Sequence, residues 1–565
     1  MRSMVVEVLV ALGMTLHVGP VSAQSTDTAT QELLRQQERE RALREQQEGR
    51  PDVRLPGPVE QADARLPVQE DPCFRIQSIR LDGDDATRFS WALKAVDRAG
   101  DPATGRCLGT DGINVVMRRI QNAIVARGYV TTRVLAKPQD LRTGVLTLTV
   151  VPGRIRAVRF APGVDARAFS WRVALPARAG DLLNLRDIEQ ALENFKRVPI
   201  VDADIQIAPA DGEASPGESD LVIVWKQSAP MRLGVTLDDS GSRATGKLQA
   251  NATLSLDNLL RWNDLFYANL GHGVLDGGHK GTRSSTIHYD IPYGYWQIGA
   301  TAGSYTYRQT IAGYAEDYVY SGTSHNADVR LGRLLFRNAS IKIGTYLRAW
   351  ERDSNNFVDD TEVLVQRRRQ AGWEAGFTYK QFIGAATLDA DVAYRRGTGA
   401  FNALHAPEEA FNEGTARPRL ITADAQLTLP FAIGGQRFRY LGSWRAQWNQ
   451  TPLVPQDRFA IGGRFTVRGF DGELSLTGEH GWLVRNDLGW MVGGGQELYV
   501  GADVGHVGGP STQWQVGQAL AGGVVGLRGG WRHWVWDAFV GAPIAKPRGF
   551  RTESPTAGFN LSWSY

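Results

Sequence analysis

The chain has 565 residues, 63 of them glycine, and a formal net charge of +3. A single core rarely grows to this length, so we expect two to four folding units. The nearly neutral charge argues against nucleic acid as the main partner, because nucleic-acid binding needs a concentrated basic patch. With a mean hydropathy of −0.28 and no long apolar run beyond the amino terminus, helical membrane spans are not expected.

The first residues, 1–23, are typical of an export signal. Arg2 supplies a positive start, residues 8–18 are mostly apolar, and Val21-Ser22-Ala23 has the small residues of a cleavage site. A buried core helix is the alternative interpretation. The pattern predicts an exported chain that is cleaved after Ala23.

The two cysteines of the chain, Cys73 and Cys107, lie in one short region. In an oxidising compartment such a pair is expected to form a disulfide. A zinc site made of cysteines alone would need about four ligands, and no histidines cluster nearby. We therefore expect a structural disulfide and no metal site here.

Residues 24–49 contain the segment TATQELLRQQERERALREQQE, which is rich in helix-forming residues and free of glycine and proline. The segment is polar nearly all round, so it has no face to bury in an ordinary core. A helix of this length would span about 30 Å, the thickness of the hydrocarbon core of a bilayer. A solvated or partly disordered tail is the alternative. Residues 50–71 are rich in proline and without periodicity, which predicts an extended linker.

Two similar β-α-β-β units follow, at 72–153 and 154–228. Each contains a helical stretch with apolar residues at spacings of three and four. In the second unit, Asn184 is expected to cap the helix. Each unit is near the lower size limit of an independent domain. The apolar helix positions are Ile113, Met117, Ile120 and Ile124 in the first unit, and Leu185, Ile188, Leu192 and Phe195 in the second.

The remaining residues, 229–565, have the pattern of an antiparallel β-barrel that spans a membrane. Stretches such as MRLGVTLD alternate apolar and polar residues, as a soluble sandwich would also do. The polar rows, however, include Lys, Arg, Gln and Asn, which suit a wet lumen, and helical patterns are missing for over 300 residues. A closed barrel satisfies every backbone hydrogen bond in lipid, and the length allows about sixteen strands.

A long connection at about 451–480 interrupts the predicted strands with the sequence GGRFTVRGF. Loops of this length in compact proteins are usually functional or disordered. Arg468 in this segment needs either water or a charged partner, and Asp503 in the later strand ELYVGADVGHV is a candidate. Gly501 and Gly505 flank Asp503 on the same face, which leaves room for a loop to press against the wall. An exposed, unpaired arginine is the alternative.

The sequence VRGF followed by GxDxG resembles the inward-folded sixth loop and its wall acceptor in the POTRA-plus-barrel outer-membrane superfamily. The whole chain is more specifically similar to two-partner (type V) secretion transporters of the hemolysin-activator and filamentous-hemagglutinin-exporter type. PCFRIQSIRLDG, GYVTTRVLAKPQDLRTGVLTLTVVPGRI and FVGAPIAKP support the resemblance. Gly501 departs from it, since the superfamily often has Phe there. The loop motif comprises Val467, Arg468, Gly469 and Phe470.

The resemblance implies a barrel of about sixteen strands preceded by two periplasmic POTRA domains and an amino-terminal helix in the lumen. The partners implied are a large exoprotein with an amino-terminal secretion domain, outer-membrane lipids and, during biogenesis, the barrel-assembly machinery. The exoprotein would be captured by strand addition to a POTRA sheet edge and exported without ATP or any cofactor. The edge is expected at Thr131, Thr132, Arg133, Val134 and Leu135, beside the helix face at Ile124. The barrel-assembly signal is expected in the last strand, at Phe559, Leu561, Trp563 and Tyr565.

The sequence disfavours two other functions. An enzyme is not expected, because the sequence has no paired metal-ligand spacing, no nucleophile elbow and no phosphate-binding glycine loop. An insertase that assembles other barrels is the alternative within the superfamily, but such relatives carry more POTRA domains than two. The sequence does not identify the exported partner.

Overall fold

The computed structural model describes residues 21–49, 51–56, 65–210, 216–275 and 280–565. Residues 1–20 of the predicted export signal lie outside the described residues. In the described part of the chain, no helix is both long enough and apolar enough to cross a membrane. The α-helices of this part are α1 (Val21–Gln47), α2 (Thr110–Ala126), α3 (Trp171–Ala174) and α4 (Leu185–Lys196).

Short 3-10 helices occur at Ala86–Ala95, Leu141–Thr143, Leu364–Gln366, Pro407–Phe411, Pro455–Asp457 and Pro510–Trp514. The strands before the barrel are β1 (Phe74–Arg75), β2 (Ser78–Asp82), β3 (Cys107–Leu108), β4 (Arg133–Ala136), β5 (Val145–Val151), β6 (Arg154–Phe160), β7 (Val201–Pro209) and β8 (Glu218–Gln227). The following strands are β9 (Met231–Asp238), β10 (Gln249–Asp257), β11 (Leu265–Gly273), β12 (Gly281–Tyr293), β13 (Trp296–Ala312), β14 (Asp317–Arg337), β15 (Ile341–Val358), β16 (Thr361–Glu362), β17 (Arg368–Ile383), β18 (Ala386–Thr398), β19 (Arg419–Ile433), β20 (Gln436–Asn449), β21 (Phe459–Ile461), β22 (Leu476–Gly478), β23 (His480–Gly493), β24 (Gln496–Gly508), β25 (Ala519–Trp531), β26 (Trp534–Ala545) and β27 (Thr556–Ser564).

The first α/β unit is a three-stranded sheet in the order β2-β5-β4, covered by α2. Strand β2 runs parallel to β5, and β4 runs antiparallel to it at the sheet edge. The apolar face of α2 packs into this core, where Ile120 and Ile124 are fully buried. The disulfide Cys73–Cys107 joins the residue before β1 to β3, beside the sheet. The sequence pattern did not predict the 3-10 helix at Ala86–Ala95.

The second α/β unit repeats the arrangement, with the sheet order β6-β8-β7 and α4 packed against it. Asn184 caps α4, because its side-chain oxygen accepts a hydrogen bond of 2.8 Å from the backbone N–H of Arg186. The periodic apolar residues of α4 are buried in the core of the unit. The predicted β-α-β-β pattern is therefore present in both units.

Sixteen long antiparallel strands of the described residues close a barrel, in which the first strand, β9, pairs with the last, β27. The two-residue strand β16 pairs only with the end of β15. Strand β9 illustrates the two faces: Met231, Leu233 and Val235 are exposed on the outer face, while Arg232 and Thr236 line the interior. The barrel thus has an apolar outer surface and a polar interior, as membrane-spanning barrels do.

The second α/β unit is docked on one rim of the barrel, called the near rim here, and the opposite rim is called the far rim. The backbone N–H of Gly294, in the turn between β12 and β13, donates to Val173 O at 2.7 Å. Asn194 Nδ2 donates to Gly294 O at 2.8 Å, and Arg197 Nη2 pairs with Asp290 at 2.5 Å. These contacts position helix α4 directly beside the mouth of the barrel.

Candidate functional site in the barrel lumen

Helix α1 lies in the barrel lumen and extends from one rim toward the other. At 27 residues it is about 40 Å long. Ser242 Oγ, in the far-rim connection between β9 and β10, donates to Glu32 at 3.4 Å. Tyr267 Oη, close to the near rim, donates to Glu48 at 3.4 Å. Of the two interpretations of this polar segment, the structure shows a helix inside the barrel and not a solvated tail.

Glu32 is the most enclosed charged group of α1, with 1% of its surface exposed. Its carboxylate accepts from Arg35 at 2.6 Å, from Arg39 at 3.1 Å and from Tyr305 Oη at 2.5 Å. A buried carboxylate is tolerated only when its oxygens are paired in this way. Glu32 therefore joins the helix to strand β13 of the wall.

The middle of α1 is held by ion pairs to the barrel wall. Glu38 accepts two hydrogen bonds from Arg445, at 2.6 and 2.9 Å. Arg41 donates to Asp424 at 2.6 Å, on the neighbouring strand β19. These partners explain why α1 is polar nearly all round: its surroundings are polar on several sides.

An apolar contact near the far rim supplements these charged ones. Ala29 and Leu33 of α1 pack against three tyrosine rings of strands β13 and β14. This patch is small, so most of the attachment of α1 is polar. The tyrosines are Tyr305, Tyr307 and Tyr320.

The connection between β20 and β23 folds back into the barrel instead of leaving the far rim. Strands β21 and β22 form a short hairpin in it. The loop has its own apolar core, in which Val467, Ile461 and Leu476 pack against Leu483, Val507 and Leu520 of the wall. The loop is therefore a packed element of the lumen.

Arg468 lies at the tip of this loop and is buried against strands β23 and β24. Its Nε donates to Asp503 Oδ2 at 2.7 Å and its Nη2 donates to Asp503 Oδ1 at 2.8 Å, which is a bidentate pair. The backbone N–H of Arg468 also donates to Asp503 Oδ2, at 3.0 Å. A second carboxylate, Asp487, accepts from Nη2 at 2.5 Å. The structure thus brings the predicted pair together and adds Asp487, which the sequence analysis missed.

Glycines in the wall make room for this contact. A Cβ at Gly501 would lie 2.8 Å from Arg468 Nη2 and 2.6 Å from Asp487 Oδ1. A Cβ at Gly505 would lie 2.9 Å from Val467 of the loop. Because Gly501 pairs directly with Asp487 across the two strands, its missing side chain is what allows Asp487 to reach the arginine. A larger side chain at this position, such as the phenylalanine that related motifs often carry, would require the guanidinium and the Asp487 carboxylate to shift.

The last two residues of the loop motif fix the tip from the other side. Gly469 has φ +90°, a conformation that favours glycine, and a Cβ there would lie 2.5 Å from Ala542 O. The Phe470 ring is buried edge-on against Phe550, with ring centres 5.6 Å apart. All four residues of VRGF therefore contact the wall or the loop core.

The loop also contacts α1 and the closing seam of the barrel. Arg35 Nη2 donates to Gly472 O at 2.6 Å, and Gln37 Nε2 donates to Gln456 O at 3.4 Å. Arg464 donates to Asp239 at 2.7 Å and to Phe559 O at 3.2 Å, next to the seam between β9 and β27. Helix and loop thus hold each other as well as the wall.

A cavity of about 680 Å³ remains beside α1 at the seam side of the lumen. Its lining is mixed polar and apolar, and includes Arg232, Thr236, Arg485, Asn560 and Ser562. At the seam, β27 and β9 pair over the five residues from Asn560 to Ser564. In the last strand, Trp563 stacks on Tyr565 at 6.4 Å, next to the predicted signal positions Phe559 and Leu561.

The predicted POTRA edge lies on strand β4, but only part of it is open. Gln121 of α2 accepts from Val134 N at 2.9 Å and donates to Thr132 O at 2.6 Å, so it occupies this stretch of edge. Thr132 is buried, and its hydroxyl accepts from Gly153 N at 3.0 Å. Of the predicted edge residues, Arg133 and Leu135 are exposed and Thr131 is half-buried.

The prediction that Ile124 contributes to this edge is wrong. Its side chain is fully buried in the core of the first α/β unit, so a partner cannot contact it. The apolar spacing of three and four identified the face of α2 that packs on its own sheet, not a face that is free for a partner. Within the described ranges, no group of three or more His, Cys, Asp or Glu side chains could hold a metal ion.

Comparisons with known proteins agree with this architecture. Residues 217–529 match the family model "Haemolysin secretion/activation protein ShlB/FhaC/HecB", 74–153 match "POTRA domain, ShlB-type" and 154–209 match "POTRA domain". The chain is 36% identical to "Outer membrane transporter CdiB-2" of Burkholderia pseudomallei (strain 1026b), over 96% of this chain and 94% of that protein. It is 24% identical to "Hemolysin transporter protein ShlB" of Serratia marcescens, over 80% of this chain and 78% of that protein.

A solved structure, "CdiB from Acinetobacter baumannii", superposes with a TM-score of 0.84 at 30% identity, covering 95% of this chain and 99% of that one. This agreement covers the helix, the two α/β units and the barrel together. The predicted fold class, a barrel of about sixteen strands preceded in the chain by two POTRA domains, is confirmed.

Reversing one charge of the pair between Glu38 and Arg445 should loosen α1 in the lumen. A partly exposed ion pair contributes about 1 kcal/mol, which corresponds to about a fivefold change in the ratio of open to closed pores. We expect E38R to raise the open fraction in planar lipid bilayers by about that factor or more, and E38R/R445E to restore much of the closed state. An open fraction that is unchanged in E38R would show that α1 does not close the pore.

Proposed function

The chain belongs to the haemolysin secretion/activation family ShlB/FhaC/HecB, and we propose that it captures the secretion domain of a large exoprotein and exports that protein through its barrel. The barrel is an outer-membrane transporter, with its two POTRA domains in the periplasm. The observation that carries the proposal is the lumen itself, which is occupied by α1 and by a loop of the same chain, with α1 held through mainly polar contacts. An adhesin, a hemolysin and a contact-dependent toxin are all suitable cargo.

Polar contacts suit a closure that must open and close again. When α1 leaves the lumen, water replaces the wall partners of Glu38 and Arg41. The net free-energy cost of each lost contact is therefore small. An apolar closure of the same area would cost about 25 cal/mol for each Å² exposed to water. The lumen is therefore built for reversible opening, which a transporter needs and a permanent plug does not.

The loop contributes differently, because its tip is buried. Removing one partner of a buried, paired charge costs about 3–5 kcal/mol. The contact of Arg468 with Asp503 and Asp487 is thus expected to survive when α1 withdraws. We assign the loop the role of a fixed wall element that narrows the path and directs the extended exoprotein past the seam side of the lumen.

Capture is proposed to occur on the edge of β4, where an extended chain can add as a further strand. Gln121 occupies this edge at Thr132 and Val134, so an incoming strand has to begin beyond it or displace it. Successive N–H groups of a strand point to opposite sides. The N–H of Ala136 therefore points away from β5, as that of Val134 does, but lies beyond the stretch of edge that Gln121 occupies. Passage is driven by folding of the exoprotein outside the cell, without ATP.

The insertase alternative is less supported, since the matches to transporters extend over nearly the whole chain. An insertase folds other barrels into the membrane and needs no plug that clears the lumen for cargo. The polar attachment of α1 therefore favours protein export over barrel insertion as the function. Cells that lack the protein should then keep normal levels of other outer-membrane barrels while export of the exoprotein stops.

Arg468→Ala should abolish or strongly reduce export of the partner exoprotein, because Asp503 and Asp487 lose the cation that joins them to the loop and the loop tip detaches. The measurement is the amount of exoprotein in the culture medium. Heat-modifiable gel migration checks that the barrel still assembles. Arg437→Ala is the matched control, since Arg437 is an exposed barrel arginine. Wild-type export by an assembled Arg468→Ala barrel would contradict the role of the loop.

Ala136→Pro should reduce export by removing one outward N–H from the β4 edge without touching the ladder to β5. Ala136→Ser keeps the N–H and should export normally. Export is measured as above, and binding of the secretion domain to the purified transporter is measured alongside it. Equal binding by the two variants would place capture elsewhere on the POTRA domains.

A further inference from the structure

Residues 51–56 cross the near rim in a groove between the second POTRA domain and the barrel. One side of this groove is helix α4, and the other consists of the near-rim ends of β14, β15 and β17. The segment follows α1 closely, since α1 ends at Gln47. We call this place the rim groove.

The rim groove holds the main chain of the segment. Val53 N donates to Glu193 Oε1 at 2.9 Å, and Leu55 N donates to Glu189 Oε1 at 3.0 Å. Arg337 Nη2 donates to Val53 O at 2.6 Å. Two N–H groups two residues apart are therefore bound on one side, which is how an extended peptide is held regardless of its sequence.

The side chains of the segment are held with a definite chemistry. Asp52 accepts from Lys342 at 2.8 Å and from Lys380 at 2.7 Å. Val53 and Leu55 pack against the core of the second POTRA domain. The groove therefore favours an acidic residue at position 52 and aliphatic residues at positions 53 and 55.

The groove favours the ionised form of Asp52. Burial opposes ionisation of Asp52, but the hydrogen bonds from Lys342 and Lys380 outweigh it and hold the pKa of Asp52 below its usual value. Arg54, between the two aliphatic residues, stacks over Phe382 at 4.2 Å.

The groove keeps its form without the segment, because its own charges are paired with one another. Arg337 is bound to Glu189 at 3.0 Å and to Glu193 at 2.8 Å. Lys342 also pairs with Glu193 at 2.5 Å, and Lys380 pairs with Asp389 at 3.0 Å. Departure of residues 51–56 would thus leave no isolated buried charge, and an incoming chain would have to replace the backbone contacts, the acidic partner of the two lysines and the aliphatic packing.

We propose that the rim groove is a binding site for an extended polypeptide with the pattern acidic, aliphatic, any residue, aliphatic, and that the chain's own residues 52–55 occupy it in the resting transporter. This inference rests on the proposed function, since the polypeptide that replaces them is a segment of the exoprotein. The groove lies between the POTRA domains and the barrel mouth, on the path that the exoprotein takes. Its occupation by cargo releases the segment that anchors the end of α1, so that arrival of cargo frees the helix.

The test uses the purified full-length transporter in detergent, in wild-type form and as the variant D52S/V53G/L55G, whose own segment no longer fits. The probe is a fluorescent hexapeptide, Ser-Glu-Ile-Thr-Val-Ser, which has the pattern but not the sequence of the linker. Its control has Lys in place of Glu. Binding is measured by fluorescence anisotropy, and heat-modifiable migration verifies that each barrel is folded.

We expect the variant to bind the Glu peptide at least tenfold more tightly than the Lys peptide, and more tightly than wild type does. Adding K342Q/K380Q to the variant should remove the preference for Glu over Lys. No saturable binding to the variant, equal binding of the two peptides, or equal binding by wild type and variant would overturn the proposal. Export is measured separately with the wild-type protein, so failure of the groove and failure of the export function are distinguished.

Discussion

The contact of the Arg468 guanidinium with Asp503 and Asp487 is the interaction on which the contents of the lumen depend. It fixes a long connection to the inside of the wall, and that connection in turn receives Arg35 and Gln37 of the amino-terminal helix. Without the arginine, the buried Asp503 would keep only the more distant Arg485, at 3.8 Å, and breaking a buried ion pair costs about 3–5 kcal/mol. Glu32 of α1 is equally enclosed, but the ion pairs of Glu38 and Arg41 in the middle of the helix are more exposed. The lumen thus contains a loop fixed by a buried, doubly paired arginine and a helix attached mainly by polar contacts.

The two α/β units and the barrel are coupled through the near rim. Helix α4 contacts the turn between β12 and β13 and, through Glu189 and Glu193, both Arg337 of the barrel and the segment at 51–56. Polar contacts therefore run from helix α4 to the barrel rim and to the segment at 51–56. Under the proposed function, these contacts link recognition of cargo on one side of the membrane to opening of the pore.

Much of this arrangement could be predicted from the sequence, and the exceptions have physical reasons. The polar rows of the alternating strands and the long absence of helical patterns predicted the barrel, and the VRGF and GxDxG motifs predicted the pair of Arg468 with Asp503. The third member, Asp487, depends on the register between two strands, which sequence alone does not specify. The role of Gln121 could not be predicted either, because its contact with β4 exists only after α2 has packed on the sheet. The error at Ile124 arose because an apolar helix face packs first on its own core.

The central claim is tested most directly by measuring the position of the loop. The native cysteines form a disulfide. Cysteines introduced at Ser475 in the loop and at Tyr314 on the far rim can therefore be spin-labelled selectively, and their separation measured by double electron–electron resonance. With Arg468 and Asp503 intact, we predict one narrow distance distribution; in Asp503→Asn, the distribution should broaden as the loop leaves the wall. A distribution equally narrow in both proteins would contradict the claim that this contact holds the loop in the lumen.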